Sequence, residues 1–224
     1  MTATIAAPIV SRVEDTQGLV VFGDVVGSRR DSAAASAWLR EVVAELNEAC
    51  AADLQAEFAF TQGDELQGLL AAAADPFAAM LRAALSPGSR KLRWAVVRGG
   101  VDAGEGPAIE RTGEAFLAAR GLLDAARAGR ERLVISTGRP DADGLLNDMA
   151  PALVDLLDGL TPTQRVVARL AVIEGLRQSE VAERVGKRRA TVSVSFARAK
   201  VVPLERLVSA MRRIYAGEGV SAHE

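Results

Sequence analysis

Residues 160–200 constrain the fold most, because their breaks and apolar spacing together define three short helices. Thr161 followed by Pro162 is typical of a helix start, since the hydroxyl caps free N–H groups and proline loses no hydrogen bond in the first turn. Gly175 and Gly186 then predict the ends of the first two helices, because glycine readily adopts the left-handed conformation that closes a helix. We therefore expect three short helices separated by two tight turns.

The third of these helices should expose a polar and basic face. Val192 and Phe196 are four residues apart and can pack on the second helix, which leaves the other side chains facing solvent. This spacing predicts a helix-turn-helix, whose third helix enters the major groove of DNA. A packing or protein-interaction module of three helices is the alternative. The predicted DNA contacts are Lys187, Arg188, Arg189, Thr191, Ser193, Ser195, Arg198 and Lys200.

Charge is distributed unevenly along the chain. Residues 1–155 carry 15 Lys and Arg against 22 Asp and Glu, a net charge of −7, whereas residues 156–224 carry 12 against 7, a net charge of +5. The net charge of −2 for the whole chain hides this difference. Residues 187–200 hold five basic residues and no acid, as phosphate binding requires. The charge distribution predicts two domains, with double-stranded DNA as the partner of the second.

Residues 160–200 resemble the fourth region of bacterial sigma factors and the related helix-turn-helix domains of response regulators. The resemblance implies that this part of the chain binds double-stranded DNA. It also adds RNA polymerase as an alternative partner, since sigma-like modules contact it.

The N-terminal part alternates strand-like and helix-like segments. The apolar run at 18–26 predicts a buried strand, and residues 32–53 predict a long amphipathic helix. Next come a strand hairpin at 57–61 and 66–70, a helix at 75–85, a strand at 92–97, a helix at 112–128 and a strand at 132–136. This order predicts an α+β fold, in which a ferredoxin-like or palm domain with its first strand beside the central hairpin precedes the all-α helix-turn-helix domain.

This arrangement makes two carboxylates candidate metal ligands. Asp24 ends the first strand and Asp64 lies at the tip of the hairpin, so the fold would bring them close together. Such a pair can hold Mg²⁺ and, through it, the phosphates of a nucleotide. The neighbouring Glu65, Ser28 and Arg29 are further candidates for binding an anionic ligand. The alternative is a turn or capping role, because Asp is common at strand ends and turns for conformational reasons.

Three segments of this part resemble class III nucleotide cyclases: GDVVGS at 23–28, TQGDELQG at 61–68 and LRWAVVRGGVDAG at 92–104. The first two are also similar to the SatD family, and the similarity extends over residues 18–137. The resemblance implies a cyclase-like palm domain, a nucleotide ligand and Mg²⁺ as the candidate cofactor. It also aligns Arg120 with the arginine that stabilises the transition state in cyclases.

Two positions depart from the cyclase pattern. Phe60 stands where cyclases have a Lys or Glu that reads the base, and Phe116 stands where they have an Asn four residues before the arginine. We therefore assign no catalytic residue and expect a regulator whose palm domain serves as a sensor or an oligomerisation unit. The alternative is a Mg²⁺-dependent nucleotide-processing enzyme that the helix-turn-helix localises.

The predicted boundaries are 1–137 for the palm domain, 138–157 for a linker with a connecting helix, 158–216 for the helix-turn-helix domain and 217–224 for a disordered tail. The linker is predicted from its Gly, Pro and Asp residues, with Pro151 opening the connecting helix. A helix at 203–215 has an apolar stripe typical of a packing or dimerisation surface, and we expect a homodimer because helix-turn-helix modules usually read paired half-sites. A single cysteine, no signal peptide and no membrane-length apolar run predict a cytoplasmic protein without a membrane partner.

Overall fold

The computed structural model describes residues 16–28, 31–60 and 64–217. They form an α+β fold with one mixed five-stranded sheet. The strands are β1 (Thr16–Val25), β2 (Leu54–Phe60), β3 (Glu65–Ala71), β4 (Leu92–Val101) and β5 (Leu133–Ser136). The helices are α1 (Ser32–Ala49), α2 (Pro76–Leu85), α3 (Glu114–Gly129), α4 (Pro140–Asp158), α5 (Pro162–Val172), α6 (Gln178–Arg184), α7 (Arg189–Arg198) and α8 (Val201–Ala216), and a short 3-10 helix (Ala108–Glu110) precedes α3.

The strand order in the sheet is β2-β3-β1-β4-β5. β1 pairs antiparallel with both β3 and β4, and β5 is parallel to β4. The prediction that the first strand lies beside the central hairpin is therefore confirmed. The register sets Asp24 at the end of β1 directly opposite Glu65 of β3 on one side and Arg93 of β4 on the other.

Alternate residues of β1 pack on different layers, as the two-residue repeat of a strand requires. Leu19 and Val21 belong to an apolar cluster shared with α1, α2 and α4. Val20 and Phe22 belong to a second cluster, on the side covered by α3. Asp24 follows Phe22 by two residues, so its side chain lies on the α3 face of the sheet.

The C-terminal helices share a core with the sheet. Helix α4 packs on β5 and on α8, and α5 packs on α2. Val167 of α5, Val192 of α7 and Leu204 of α8 lie in the same apolar cluster as Leu19 of β1 and Phe77 of α2. The basic C-terminal part is therefore packed against the acidic N-terminal part through a continuous apolar core.

Polar contacts reinforce this junction. Arg169 of α5 lies 2.6 Å from Glu45 of α1, and Arg212 of α8 lies 2.7 Å from Asp75, which precedes α2. Arg139, which precedes α4, donates hydrogen bonds to two backbone carbonyls at the end of α8. The two ion pairs join α5 and α8 to the N-terminal part, and the Arg139 contacts join the end of α8 to the start of α4.

One feature of the C-terminal part differs from the expectation, and a second favours one of two alternatives. Pro151 does not open the connecting helix, because α4 begins at Pro140 and contains Pro151 in its interior. The helix begins at Pro140 because the Asp residues of its first turn complement the helix dipole and its apolar side packs on the core. The apolar stripe of α8 is covered by the chain itself, since Leu204 and Met211 are fully buried. Most of the stripe is thus a packing surface within one chain, while Leu207 and Ile214 are half-buried.

Among the described residues, no helix is both long enough and apolar enough to cross a membrane. Apart from Gly217, the predicted C-terminal tail lies outside the described residues.

Candidate functional site

Asp24 and Glu65 lie side by side at one end of the sheet. They are register partners on β1 and β3, and they are 4% and 6% exposed. Their side chains both lie on the α3 face. Two adjacent buried carboxylates repel each other when ionised, so their charge has to be balanced by nearby cations.

Two arginines hold Asp24. Arg93 Nη1 donates to Asp24 Oδ2 at 2.7 Å, while Arg127 Nη2 donates to Oδ1 at 2.9 Å and Arg127 Nε donates to Oδ2 at 3.3 Å. Arg93 comes from β4, directly opposite Asp24, and Arg127 comes from the last turns of α3. The hydrogen bond with Asp24 raises the pKa of Arg127 above its ordinary value. Both carboxylate oxygens of Asp24 are thus bound by guanidinium groups.

Glu65 is held by Arg120 in a bidentate ion pair. Arg120 Nη2 donates to Glu65 Oε1 at 2.6 Å and Arg120 Nη1 donates to Oε2, while Gln67 donates to Oε1 at 2.8 Å. The guanidinium of Arg120 also lies 5.0 Å from the centre of the Phe22 ring. The hydrogen bond with Glu65 raises the pKa of Arg120. The arginine that the cyclase resemblance singles out is therefore engaged by a carboxylate of its own chain.

Asp64 lines the same cleft as Asp24. Ser28 donates its hydroxyl to Asp64 Oδ2. The cleft has a volume of about 740 Å³, and its charged and polar lining consists of Asp24, Asp64, Ser28, Ser32, Arg93 and Arg127. The fold thus brings the two predicted aspartates and Ser28 to one cleft. Arg29, the remaining candidate of this group, lies outside the described residues.

Among the described residues, a metal ion in this cleft would have only Asp24 and Asp64 as carboxylate ligands. In the described ranges, no three side chains of His, Cys, Asp or Glu come together as a ligand set. The other ligands would be carbonyl, hydroxyl, water or phosphate oxygens, all of which Mg²⁺ accepts. Asp24 would also have to release an arginine. Arg127 is the one that can move, since its side chain is 41% exposed whereas that of Arg93 is 13% exposed.

The sequence alone does not single out Arg93 or Arg127, although both belong to this cluster. Arg127 follows Arg120 by two helical turns, which puts both side chains on one face of α3. Arg93 precedes Trp94 within the segment at 92–104 that resembles cyclases. Helical spacing and this segment are the two signals in the sequence that point to these residues.

The exposed face of α7 is a second candidate site. Val192 and Phe196 are buried, as predicted, and the rest of the helix surrounds this narrow apolar side. Ser195 is half-buried and its hydroxyl donates to the carbonyl of Thr191 at 3.1 Å. We call the exposed residues of α7 and of the turns that flank it the basic surface of α7: Lys187, Arg188, Arg189, Thr191, Ser193, Arg198 and Lys200.

The cations of the basic surface of α7 have no acidic partners among the described residues. In the part of the chain that the structure describes, no carboxylate oxygen lies within 4.0 Å of any of them. Val194, near the middle of α7, is 50% exposed. Unpaired guanidinium and ammonium groups on one helix and its flanking turns form a surface suited to phosphate oxygens and to the acceptor edges of bases.

Local sequence signals position α7. The hydroxyl of Thr161 accepts from the N–H of Gln164, whose side chain accepts from the N–H of Thr161, so α5 begins with a complete capping box. Gly175 and Gly186 follow α5 and α6 with φ angles of 67° and 63°. This left-handed conformation is strained for most residues with a side chain. The predicted turn positions are therefore confirmed.

No family model and no curated protein sequence matches the chain. Among solved structures, it is similar to a regulator of polyketide synthase expression from Bifidobacterium adolescentis, with 14% sequence identity, 89% of this chain and 86% of that chain covered, and a TM-score of 0.24. A likeness this weak carries no inference about function.

Proposed function

We propose that this protein is a DNA-binding transcriptional regulator in which α5, α6 and α7 act as a helix-turn-helix. The observation that carries the proposal is the basic surface of α7, whose cations have no acidic partner among the described residues. Unpaired cations on one exposed helix are what binding to the DNA backbone requires. The resemblance of residues 160–200 to the fourth region of sigma factors supports the same reading.

The two ends of α7 would have different roles. Arg188 and Arg189 begin the helix, and the N-terminal side chains of a recognition helix contact base edges. Val194 is suited to the methyl group of a thymine, an apolar contact in the major groove. Arg198 and Lys200 at the other end would bind phosphates, which add affinity without sequence preference.

Fluorescence anisotropy with a duplex selected from a random pool tests this proposal. We expect Arg188→Ala or Arg189→Ala to weaken binding by about 1–3 kcal/mol if the residue contacts a base. Replacing an arginine that binds phosphate should instead weaken binding to all sequences. It should also lower the slope of log affinity against log salt concentration by about one. Arg40→Ala is the matched control, since Arg40 is exposed on α1 and the change in charge is the same. Unchanged affinity in the double Arg188 and Arg189 variant would reject the proposal.

The N-terminal part would serve as the sensor. The cleft beside Asp24 and Asp64 would bind a phosphorylated ligand. The similarity to the SatD family suggests that this ligand is a nucleotide. Mg²⁺ held by the two aspartates would neutralise phosphate charge, while Arg127 and Ser28 would contact the phosphate oxygens directly. This arrangement makes nucleotide binding dependent on Mg²⁺.

A nucleotide-processing enzyme is the second candidate function, and the shared cleft of Asp24 and Asp64 is the observation in its favour. Phe60 and Phe116 argue against it, since neither ring can read a base or orient a ribose by hydrogen bonds. Phe116 also packs edge-on against Phe22, with ring centres 5.9 Å apart. We expect no cyclic nucleotide when the protein is incubated with each nucleoside triphosphate and Mg²⁺. If a cyclic product forms and is absent with the Asp64→Asn variant, the protein is an enzyme and the proposal of a regulator is wrong.

We also propose that the regulator binds DNA as a homodimer, because one helix-turn-helix reads only a few base pairs. The interface would not involve the buried stripe of α8. Light scattering of the free protein and of its DNA complex tests this point, and a monomer in both states would refute it. Contact with RNA polymerase is the alternative output of a sigma-like module, tested by co-purification of the polymerase with the wild-type protein and with the α7 variants.

A further inference from the structure

A small cavity lies where α5 meets the sheet and α4. Its volume is about 130 Å³. The lining combines apolar side chains that include Met80, Trp94 and Leu157 with polar ones, among which Arg90, Lys91, Arg132 and Arg165 are basic. Arg90 is paired with Asp31 at 2.9 Å. Such a mixture of apolar surface and a few convergent polar groups is typical of small-molecule sites.

The charges around this cavity do not balance. Among the described residues, Asp158 is the only carboxylate that lines it, and it is shared by Lys91 and Arg132, each at 3.0 Å. Arg165 has no carboxylate within 4.0 Å in the described part of the chain, and its buried Nε–H has no hydrogen-bond acceptor there. Burial lowers the pKa of Arg165, while the charge of Asp158 opposes that shift. One cation at the cavity therefore lacks an anion.

An anionic occupant would supply the missing acceptor. A guanidinium donates two parallel hydrogen bonds to a planar carboxylate, which makes carboxylate the matching group. The size of the cavity limits the rest of the ligand, since an apolar protein cavity of roughly 150 Å³ holds one benzene ring. We propose that this cavity binds a small organic acid, with the carboxylate at Arg165 and an aromatic or short branched apolar part beside Trp94.

This site is separate from the cleft of Asp24 and Asp64 and does not depend on the proposed DNA binding. Its lining comes from α2, β4, α4, α5 and the segments just before β4 and β5, so a bound acid would join α5 to the sheet. A ligand that binds only the folded chain stabilises it by mass action. Occupancy should therefore raise the melting temperature.

Benzoate is the probe, and benzyl alcohol is its neutral counterpart of similar size. We expect calorimetry to show that benzoate binds the full chain. Benzyl alcohol should bind with an affinity lower by a factor of about ten or more. Arg165→Gln should weaken benzoate binding by a similar factor. Arg177→Gln is the matched control, because it removes the same charge from an exposed arginine that pairs with Glu180, and it should leave benzoate binding unchanged.

A second variant tests the cavity itself. Ala84 of α2 is also part of the lining, so Ala84→Leu would fill the space while leaving Arg165 in place. It should abolish benzoate binding, and its own melting temperature shows whether it is folded. The proposal is overturned if the wild-type chain does not bind benzoate, if it binds benzyl alcohol equally well, or if either Arg165→Gln or folded Ala84→Leu keeps wild-type affinity.

Discussion

Replacing Asp24 by Asn should destabilise the fold far more than replacing Asp64, although the sequence presents both as carboxylates at the ends of strands. Asp24 is 4% exposed and accepts three hydrogen bonds from two guanidinium groups. Asparagine retains one oxygen as an acceptor, but its NH₂ group would face N–H donors of the guanidinium groups and could not accept their hydrogen bonds. It would also leave Arg93, whose side chain is 13% exposed, as a buried charge without a counter-ion.

The size of the effect follows from the burial of the two arginines. Removing one partner of a buried ion pair costs about 3–5 kcal/mol. The lower end applies to Asp24, because Arg127 is 41% exposed and can regain water whereas Arg93 cannot. We expect a loss of about 3 kcal/mol in the free energy of unfolding, which is a large share of the roughly 5–15 kcal/mol of a typical domain.

Urea unfolding followed by tryptophan fluorescence measures this loss, and Trp94 lies next to Arg93 on β4. Asp124→Asn is the control, since Asp124 also pairs with Arg127, at 2.9 Å, but is 56% exposed. It should cost no more than about 0.5 kcal/mol. Adding Arg93→Gln to Asp24→Asn should recover part of the loss, because it removes the orphaned charge. An Asp24→Asn variant as stable as Asp124→Asn would refute this reasoning from burial.

Three further predictions concern other parts of the chain. Gly68→Ala should cost about 1–3 kcal/mol in urea unfolding, because a Cβ at Gly68 would lie 2.1 Å from the ring of Phe58, and truncating that ring as well should relieve the clash. Tyr215 is the only tyrosine, and burial raises its pKa although the charge of Arg98 lowers it, so tyrosinate absorbance should titrate above pH 10 in the native chain and near 10 in urea. The stability contributed by neutral Tyr215 is then present below pH 10 and is lost as pH rises through the native pKa, a loss that Tyr215→Phe should lack. Asp64→Asn should abolish Mg²⁺-dependent nucleotide binding in calorimetry with little change in melting temperature, and the opposite pattern would make Asp64 a turn residue.

Local sequence signals are enough to predict the structure of the C-terminal helices and the order of elements in the N-terminal part. The start of α5 follows from Thr161 and Pro162, and the two turns follow from Gly175 and Gly186. These features can be predicted from the sequence because capping and left-handed turns depend on residues only a few positions apart. The basic surface of α7 can be predicted for the same reason, since all of its cations lie within 14 consecutive residues, 187–200.

The neutralisation of Asp24 and the covering of α8 depend instead on tertiary packing. Arg93 and Arg127 lie 69 and 103 positions from Asp24 along the chain, and strand register and the packing of α3 bring them together. The stripe of α8 shows that one face must be covered, but its spacing is the same whether a second chain or α4 covers it. Helical periodicity describes one element at a time, whereas ion pairs and burial depend on which elements meet.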